Sequence, residues 1–362
     1  MVSFGNTLWH LKFLRKKPRV LLRIIKDYFY VRVLRKNRLR TIDFAVSYRC
    51  NANCEMCSAK FLMSNKKNKG KKELTPDEII DTWKKAVKLG AIHINITGGE
   101  PTIRPPDELV KIIKGINKEN ALISLVTNSI LMTKENLTRY VDAGLDTIQL
   151  SLESLDEKTH DKIRRTPSNY KKLMEVFRWA KELKLNICLS TVITYHNFEE
   201  VKKIMKFSKE HNVFTLLNPI SSSGEVAGDF SRSIADKKKE YYQLLKKGHV
   251  RADTVLNFRG GSGCPAGTER ISITPYGEVM TCPHVQVSYG NIRNEPLEKI
   301  YKRISKFPLL KDFDKDCRHV FNEDYIEKIL KPTHGTFELP IDIYDHPITK
   351  EKEIKEYLEK TK

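Results

Sequence analysis

The chain has 362 residues, of which 40% are hydrophobic and 30% charged, and its formal net charge is +20. Such a chain can build two domains or one enlarged barrel around a real core. No run of about 18 apolar residues occurs, which excludes a membrane-spanning helix, and the N-terminus lacks the unbroken apolar stretch of a cleavable signal.

Seven cysteines, an odd number, point to thiols in a reducing cytoplasm rather than a disulfide scaffold. Glutamine occurs only at 149, 243 and 286, while Lys, Glu and Ile are abundant, a bias similar to that of heat-adapted proteins. Residues 1–40 hold twelve Lys or Arg against one acid, Asp27, a net charge of +11. Apolar residues are interleaved with these cations: Leu8, Trp9, Leu11, Phe13 and Leu14, then Leu21, Leu22, Ile24, Ile25, Tyr28 and Phe29. Basic amphipathic helices of this kind fit an anionic membrane surface, and peripheral attachment from the cytoplasm is expected. A nucleic-acid arm seldom carries so much aliphatic surface, so no nucleic acid is expected. The plain alternative is a pair of basic helices packed on the next domain.

From residue 41 strands and helices alternate. Alternating or continuous apolar, β-branched runs predict strands at 41–48, 91–97, 121–127, 146–152, 186–193 and 213–218. Amphipathic runs predict helices at 75–89, 106–117, 133–143, 168–183 and 198–210, the first opened by Thr75-Pro76. This βα alternation argues for a parallel sheet. Lysines 66, 67, 69, 71 and 72 read as a solvated loop. The Ser/Gly-rich stretch 221–231 reads as a boundary, followed by a helical stretch near 232–247 and a further glycine-rich run, 260–263. The expected division is 1–40, 41–225, 226–330 and a Lys/Glu-rich tail, 331–362.

The first strand runs into Cys50-Asn51-Ala52-Asn53-Cys54-Glu55-Met56-Cys57. Three thiolates in CX3CX2C can grip one small object and leave a fourth position empty. A structural zinc site takes four closed N or S ligands, often as two CX2C pairs, and no second pair lies nearby. A [4Fe–4S] cube has four irons to be ligated by thiolates, so three cysteines leave one iron open. One βα unit later the second strand ends in Gly98-Gly99-Glu100-Pro101, where glycines let a ligand approach the backbone and a carboxylate can meet an ammonium group.

Together these motifs resemble the radical S-adenosylmethionine (SAM) superfamily. The resemblance implies a partial (β/α)6 TIM-like barrel with ligands at the carboxyl ends of its strands. It also implies a [4Fe–4S] cluster on Cys50, Cys54 and Cys57 whose open iron is chelated by SAM, with Gly98, Gly99 and Glu100 at the SAM amino group. Asn128, ending the third strand, would lie near the ribose or methionine. Ser151-Leu152-Glu153-Ser154, with His160, Asp161 and Arg164, is similar to the fourth-strand pattern, which puts Ser151 at the ribose and Arg164 at the SAM carboxylate. Glu153 and Ser154 depart from the usual Asp and Gly. Met56 stands where relatives often place an aromatic residue over adenine, and a thioether can cover a ring face too. The implied chemistry is the cofactor's: reductive cleavage of SAM to a 5′-deoxyadenosyl radical, then hydrogen abstraction from an unactivated C–H bond, with an external reductant such as ferredoxin or flavodoxin.

The C-terminal part carries Cys264, Cys282 and Cys317. The run CX12GX4C reads as a β-hairpin turning at Tyr276-Gly277 and resembles the small α+β twitch or SPASM domains that hold an auxiliary [4Fe–4S] cluster. With one later cysteine only, a twitch domain is the closer likeness. His284, His319, Glu323, Asp324 or the substrate could complete its ligands. Cys188 reads as a small buried hydrophobe. The substrate expectation is a membrane lipid chain, such as an archaeal isoprenoid lipid joined by C–C coupling, with peptide maturation as the alternative.

Overall fold

The computed structural model describes residues 17–64, 68, 70–252, 263–310, 314–336 and 338–362. Six parallel strands, β1 (Thr41–Ser47), β2 (His93–Gly98), β3 (Leu122–Thr127), β4 (Thr147–Ser151), β5 (Asn186–Ile193) and β6 (Phe214–Pro219), lie in chain order and are joined through helices. They fall where the apolar periodicity places them. So do the helices Pro76–Leu89, Pro106–Asn117, Lys134–Ala143, Asn169–Glu182 and Phe198–Glu210. The first begins with a full capping box: Thr75 accepts from the Glu78 amide, and the Glu78 carboxylate accepts from the Thr75 amide at 2.8 Å, satisfying two orphan donors at once. Strand residues facing these helices, such as Ile94, Ile96, Ile123, Leu125, Ile148 and Leu150, are fully buried and form one core with Leu109, Ile112, Ile113, Val176 and Phe177.

The sheet does not end at the sixth strand or close on itself. Two-residue β7 (Val250–Arg251) follows β6. On the other side β1 pairs in parallel with β8 (Arg270–Ile273), which leads through β9 (Glu278–Cys282) and β10 (Val285–Asn291) to β11 (Ile341–Asp342). The described residues thus form one eleven-stranded open sheet, a partial barrel continued by the C-terminal strands. The expected hairpin is present, β8 against β9, with Gly277 at φ +93. A buried polar layer joins the two parts. Arg270 grips Asp43 of β1 with two nitrogens, Nη2 at 2.7 Å and Nε closer still. Asn95 donates to Asp43 at 2.7 Å, and Gln149 donates to Asn95 at 3.2 Å.

The segment 331–362 is no loose tail. Ile343, Ile348, Ile354 and Leu358 belong to the main core, and Tyr357 donates to the Arg303 carbonyl at 2.7 Å. At the other end, helix Pro18–Arg32 packs across the amino ends of the strands. Val20 and Val31 are buried with Ile92, and Lys17 donates to Asp146 at 2.6 Å and to the Ala121 carbonyl. Arg23 donates to the Glu119 carbonyl at 3.1 Å and to that of Ala91. The apolar and basic residues before Lys17, Trp9 and Phe13 among them, lie outside the described residues.

Candidate functional site

The cysteine loop leaves the carboxyl end of β1 and is held from four sides. Its stem passes directly over the end of β2. A Cβ on Gly98, which sits at φ +140, would lie 2.1 Å from the Ser47 carbonyl, and one on Gly99 would lie 2.5 Å from that of Arg49. The glycines are therefore required by the chain entering the cysteine loop itself. The Gly99 and Glu100 amides donate to those segments, at 2.8 Å to Ser47 and 2.9 Å to Arg49.

Glu100 is 1% exposed. One carboxylate oxygen accepts from Thr102 and Thr127, at 2.6 and 2.8 Å from their hydroxyls, and the other from the Asn128 amide at 2.7 Å. Burial raises its pKa, opposed by those hydrogen bonds. Its carboxylate thus ties β2 to the end of β3. Asn128 in turn reaches the cysteine loop: Nδ2 donates to Asn51 at 2.8 Å and lies 3.9 Å from the Cys50 sulfur, while Oδ1 accepts from the Ile130 amide. It is both a turn former and a brace for the first cysteine.

From the third side comes Arg164, 9% exposed. Burial pulls its pKa down, but Cys54, Glu153, Cys50 and Cys57 together raise it, so the cation and the three thiols act on one another. Its Nη1 donates to Glu153 at 3.3 Å, and Glu153 also accepts from the Val192 amide at 3.1 Å. Glu153, whose place in the fourth-strand pattern was open, is thus the buried partner of Arg164. His160 supports both: its Nδ1 accepts from the Glu153 amide at 3.2 Å, which leaves Nε2 to donate to Asn169 at 3.1 Å. Burial lowers its pKa to about 4.

The fourth side is the stretch 221–231, which composition marks as a boundary. Ser221, Ser222 and Ser223 are buried, and Gly224, at φ +63, meets the cysteine loop so closely that a Cβ would lie 2.2 Å from the Cys57 carbonyl. Met56 packs with Cys54, Ile220 and Val226, an apolar wall beside the thiols. Burial raises all three thiol pKa values, that of Cys57 to about 11 with Cys54 adding to it, so a cationic group must hold them as thiolates. Three neighbouring thiols, one guanidinium and an apolar wall fit a [4Fe–4S] cluster. Among the described residues no three His, Cys, Asp or Glu side chains converge as a single metal ion requires.

Inside the barrel, Ser151 is half-buried and donates to the Thr127 carbonyl at 3.4 Å. Several residues alternating with the helix-facing core on β2 to β6 are also half-buried: Thr97, Val126, Gln149, Ser190, Val192, Leu216 and Asn218. Asn218 donates to Ser190 at 2.8 Å. The lumen is mostly polar.

Cys264, Cys282 and Cys317 line one cavity of about 40 Å³ together with Arg270, His284, Arg318, His319 and Tyr325. Burial, then Cys264, pushes the Cys282 thiol up to about 12. Of the four side chains considered as a further ligand, His284 and His319 face this cavity, with ring centres 4.9 Å apart. Glu323 and Asp324 are exposed, and Asp324 pairs with Lys328 instead. This donor set also fits an iron–sulfur cluster. The two cysteine groups are physically joined: Gln286, four residues after Cys282, donates to the Ser58 carbonyl, one residue after Cys57, at 2.6 Å.

Residues 44–208 match the family model described as the radical SAM superfamily, and residues 264–319 match SPASM, described as an iron-sulfur cluster-binding domain. The chain is 30% identical over 269 residues to a GTP 3′,8-cyclase of Aquifex aeolicus, covering 67% of this chain and 82% of that one. It is 24% identical over 286 residues to a PqqA peptide cyclase of Rhizobium meliloti, covering 72% and 73%. Among solved structures, Streptococcus suis SuiB bound to the precursor peptide SuiA superposes with a TM-score of 0.57 at 17% identity, over 76% of this chain and 66% of that one. These are enzymes, and the family's cofactors are a [4Fe–4S] cluster and SAM, to which SPASM adds an auxiliary cluster. With the cysteine loop and the C-terminal cysteines each falling inside its matching model, the chain belongs to the radical SAM superfamily.

Proposed function

We propose that this enzyme modifies a peptide, abstracting hydrogen from one of its C–H bonds. The observation that carries this reading is the lining of the barrel. Among the half-buried residues on the lumen face, Thr97, Gln149, Ser151, Ser190 and Asn218 outnumber Val126, Val192 and Leu216, a lining that offers hydrogen-bonding groups to a peptide and is more polar than a hydrocarbon chain calls for. Peptide cyclases and a peptide-bound structure among the similar proteins support the same reading. The lipid-chain substrate suggested by composition has no such support in the lumen.

In this reading Cys50, Cys54 and Cys57 hold the SAM-binding cluster, and Cys264, Cys282 and Cys317 hold the auxiliary one. When bound, the first cluster and SAM supply a hydrogen-abstracting carbon radical, fed by an external one-electron reductant such as ferredoxin or flavodoxin. The chain's own work is to hold and insulate. Arg164 offsets thiolate charge, and Glu153 and His160 fix its position. Asn128 braces Cys50, while Glu100 locks the strand ends on which SAM would rest beside Gly98, Gly99 and Ser151. Met56, Ile220 and Val226 keep water from the reacting atoms.

Mass spectrometry on peptide, lipid and nucleotide fractions, after incubation with reconstituted enzyme, SAM and reductant, tests the proposal. A SAM-dependent mass change in the peptide fraction is expected. A product found in lipid or nucleotide alone overturns it.

A further inference from the structure

Helix Pro18–Arg32 divides its residues between two surroundings. Val20, Asp27 and Val31 are buried against the floor of the barrel. On the far side Leu22, Ile25, Phe29 and Val33 are 66%, 59%, 51% and 60% exposed. Their spacing of three, then four and four, keeps them on one helical stripe. Tyr28 and Leu34 flank it, and these six are most of the nine large hydrophobics exposed among the described residues. The patch is concentrated, not scattered, and concentrated patches mark interaction sites.

Its charge is one-sided. Arg19, Lys26, Arg32, Arg35 and Lys36 are exposed on the same segment. The segment's single acid, Asp27, is buried and paired with Arg38 at 2.8 Å, so no carboxylate between residues 17 and 40 faces outward. Lys17, Arg23 and Arg40 point the other way and anchor the segment to the barrel through Asp146, the Glu119 carbonyl and Glu269, while Arg38 pairs with Asp27 within the segment.

We propose that this face docks the enzyme on an anionic lipid bilayer, independently of the substrate the lumen takes. The apolar stripe enters the boundary between headgroups and acyl chains, and the cations meet lipid phosphates. A polyanion without an apolar layer would match the cations and leave the stripe in water. A second copy would match the stripe and set the cations against each other. Orientation follows from the fold. The helix covers the amino ends of β2 to β4, whereas the cysteine loop leaves the carboxyl end of β1. The floor lies on the bilayer and the mouth opens away from it.

Sedimentation of the full chain with phosphatidylcholine vesicles, with and without phosphatidylglycerol, tests this at low and high salt. Binding to the anionic vesicles is expected, partly weakened by salt. Leu22→Ser/Ile25→Ser/Phe29→Ser should lower the salt-resistant partition about a hundredfold. Arg19→Gln/Lys26→Gln/Arg35→Gln/Lys36→Gln should abolish the preference for anionic vesicles. All seven side chains are exposed and far from the cysteines, so both variants should cleave SAM at the wild-type rate. The proposal is overturned if the wild type ignores anionic vesicles at low salt, or if the triple variant binds them equally well. It is also overturned if the wild type is a dimer without vesicle affinity and the triple variant a monomer, or if duplex DNA binds more tightly than the vesicles.

Discussion

At His160 a single proton position links stability to the architecture of the site. Nδ1 accepts from the Glu153 amide, so protonation there would set two donors face to face. The folded-state pKa, lowered by burial to about 4, lies below the ordinary histidine value of about 6.5. The folded chain therefore binds fewer protons than the unfolded chain between those two values. Stability contributed by neutral His160 is complete above the upper value and is lost as pH falls toward the lower one, by about 3 kcal/mol. Glu100, Glu153 and Asp27 have raised pKa values, each chiefly through burial, and oppose this trend. Urea unfolding of wild type and His160→Gln at pH 7 and pH 4.5 isolates the histidine: the variant should lose the acid-sensitive part. A parallel pH dependence in both proteins would refute the assignment. The motif residues were legible as single letters, because cysteine spacing and glycine pairs are local. Glu153 was not, since its meaning depends on Arg164, eleven residues on and across a turn. Nor was the need for Gly98 and Gly99, which comes from Ser47 and Arg49 crossing over them.

Elements show the same division. The six strands and the five longer helices between 41 and 219 could be read from periodicity, because each repeats a local pattern that burial then enforces, whereas the short helices Lys60–Met63 and Glu157–Arg164 could not. The joining of β8 to β1 could not, because Thr41 and Arg270 pair across most of the chain with no local sign of it. Nor did sequence tell which side of helix Pro18–Arg32 would be buried, since apolar residues occur around much of its circumference. The join of β8 to β1 depends on Asp43, which accepts from Arg270 and Asn95. Asp43→Ala removes one partner of a buried pair and strands the guanidinium, an expected loss of about 3–5 kcal/mol. The urea midpoint of the variant measures it, and a loss below about 1 kcal/mol would mean the pair contributes little beyond packing.

For the whole molecule, the cysteine groups should be separable in composition while joined in structure. Cys264→Ala, Cys282→Ala or Cys317→Ala should lower iron by about one cluster's share, given thiolate ligation. Cleavage of SAM should survive in these variants, and product formation should fail. Iron content unchanged from wild type would show that these thiols hold no cluster. Removal of residues 1–40 would be a poor test of any surface role, since it also strips Leu39, Val20 and the Lys17 and Arg23 contacts from the barrel floor. The exposed stripe can be altered without that damage.

Because β1 lies between β2 and β8, the chain carries a hazard during its synthesis. Thr41 leaves the ribosome well before Arg270, its partner across the sheet. At about 5–20 residues per second the wait is on the order of 10–50 s. Throughout it β1, otherwise rich in apolar side chains, presents an open hydrogen-bonding edge to other nascent chains. Asp43 is the one charge on that strand, and until Arg270 arrives it is an unpaired carboxylate in the middle of a sticky edge. The residue that later joins the two halves of the sheet first acts as a gatekeeper against aggregation.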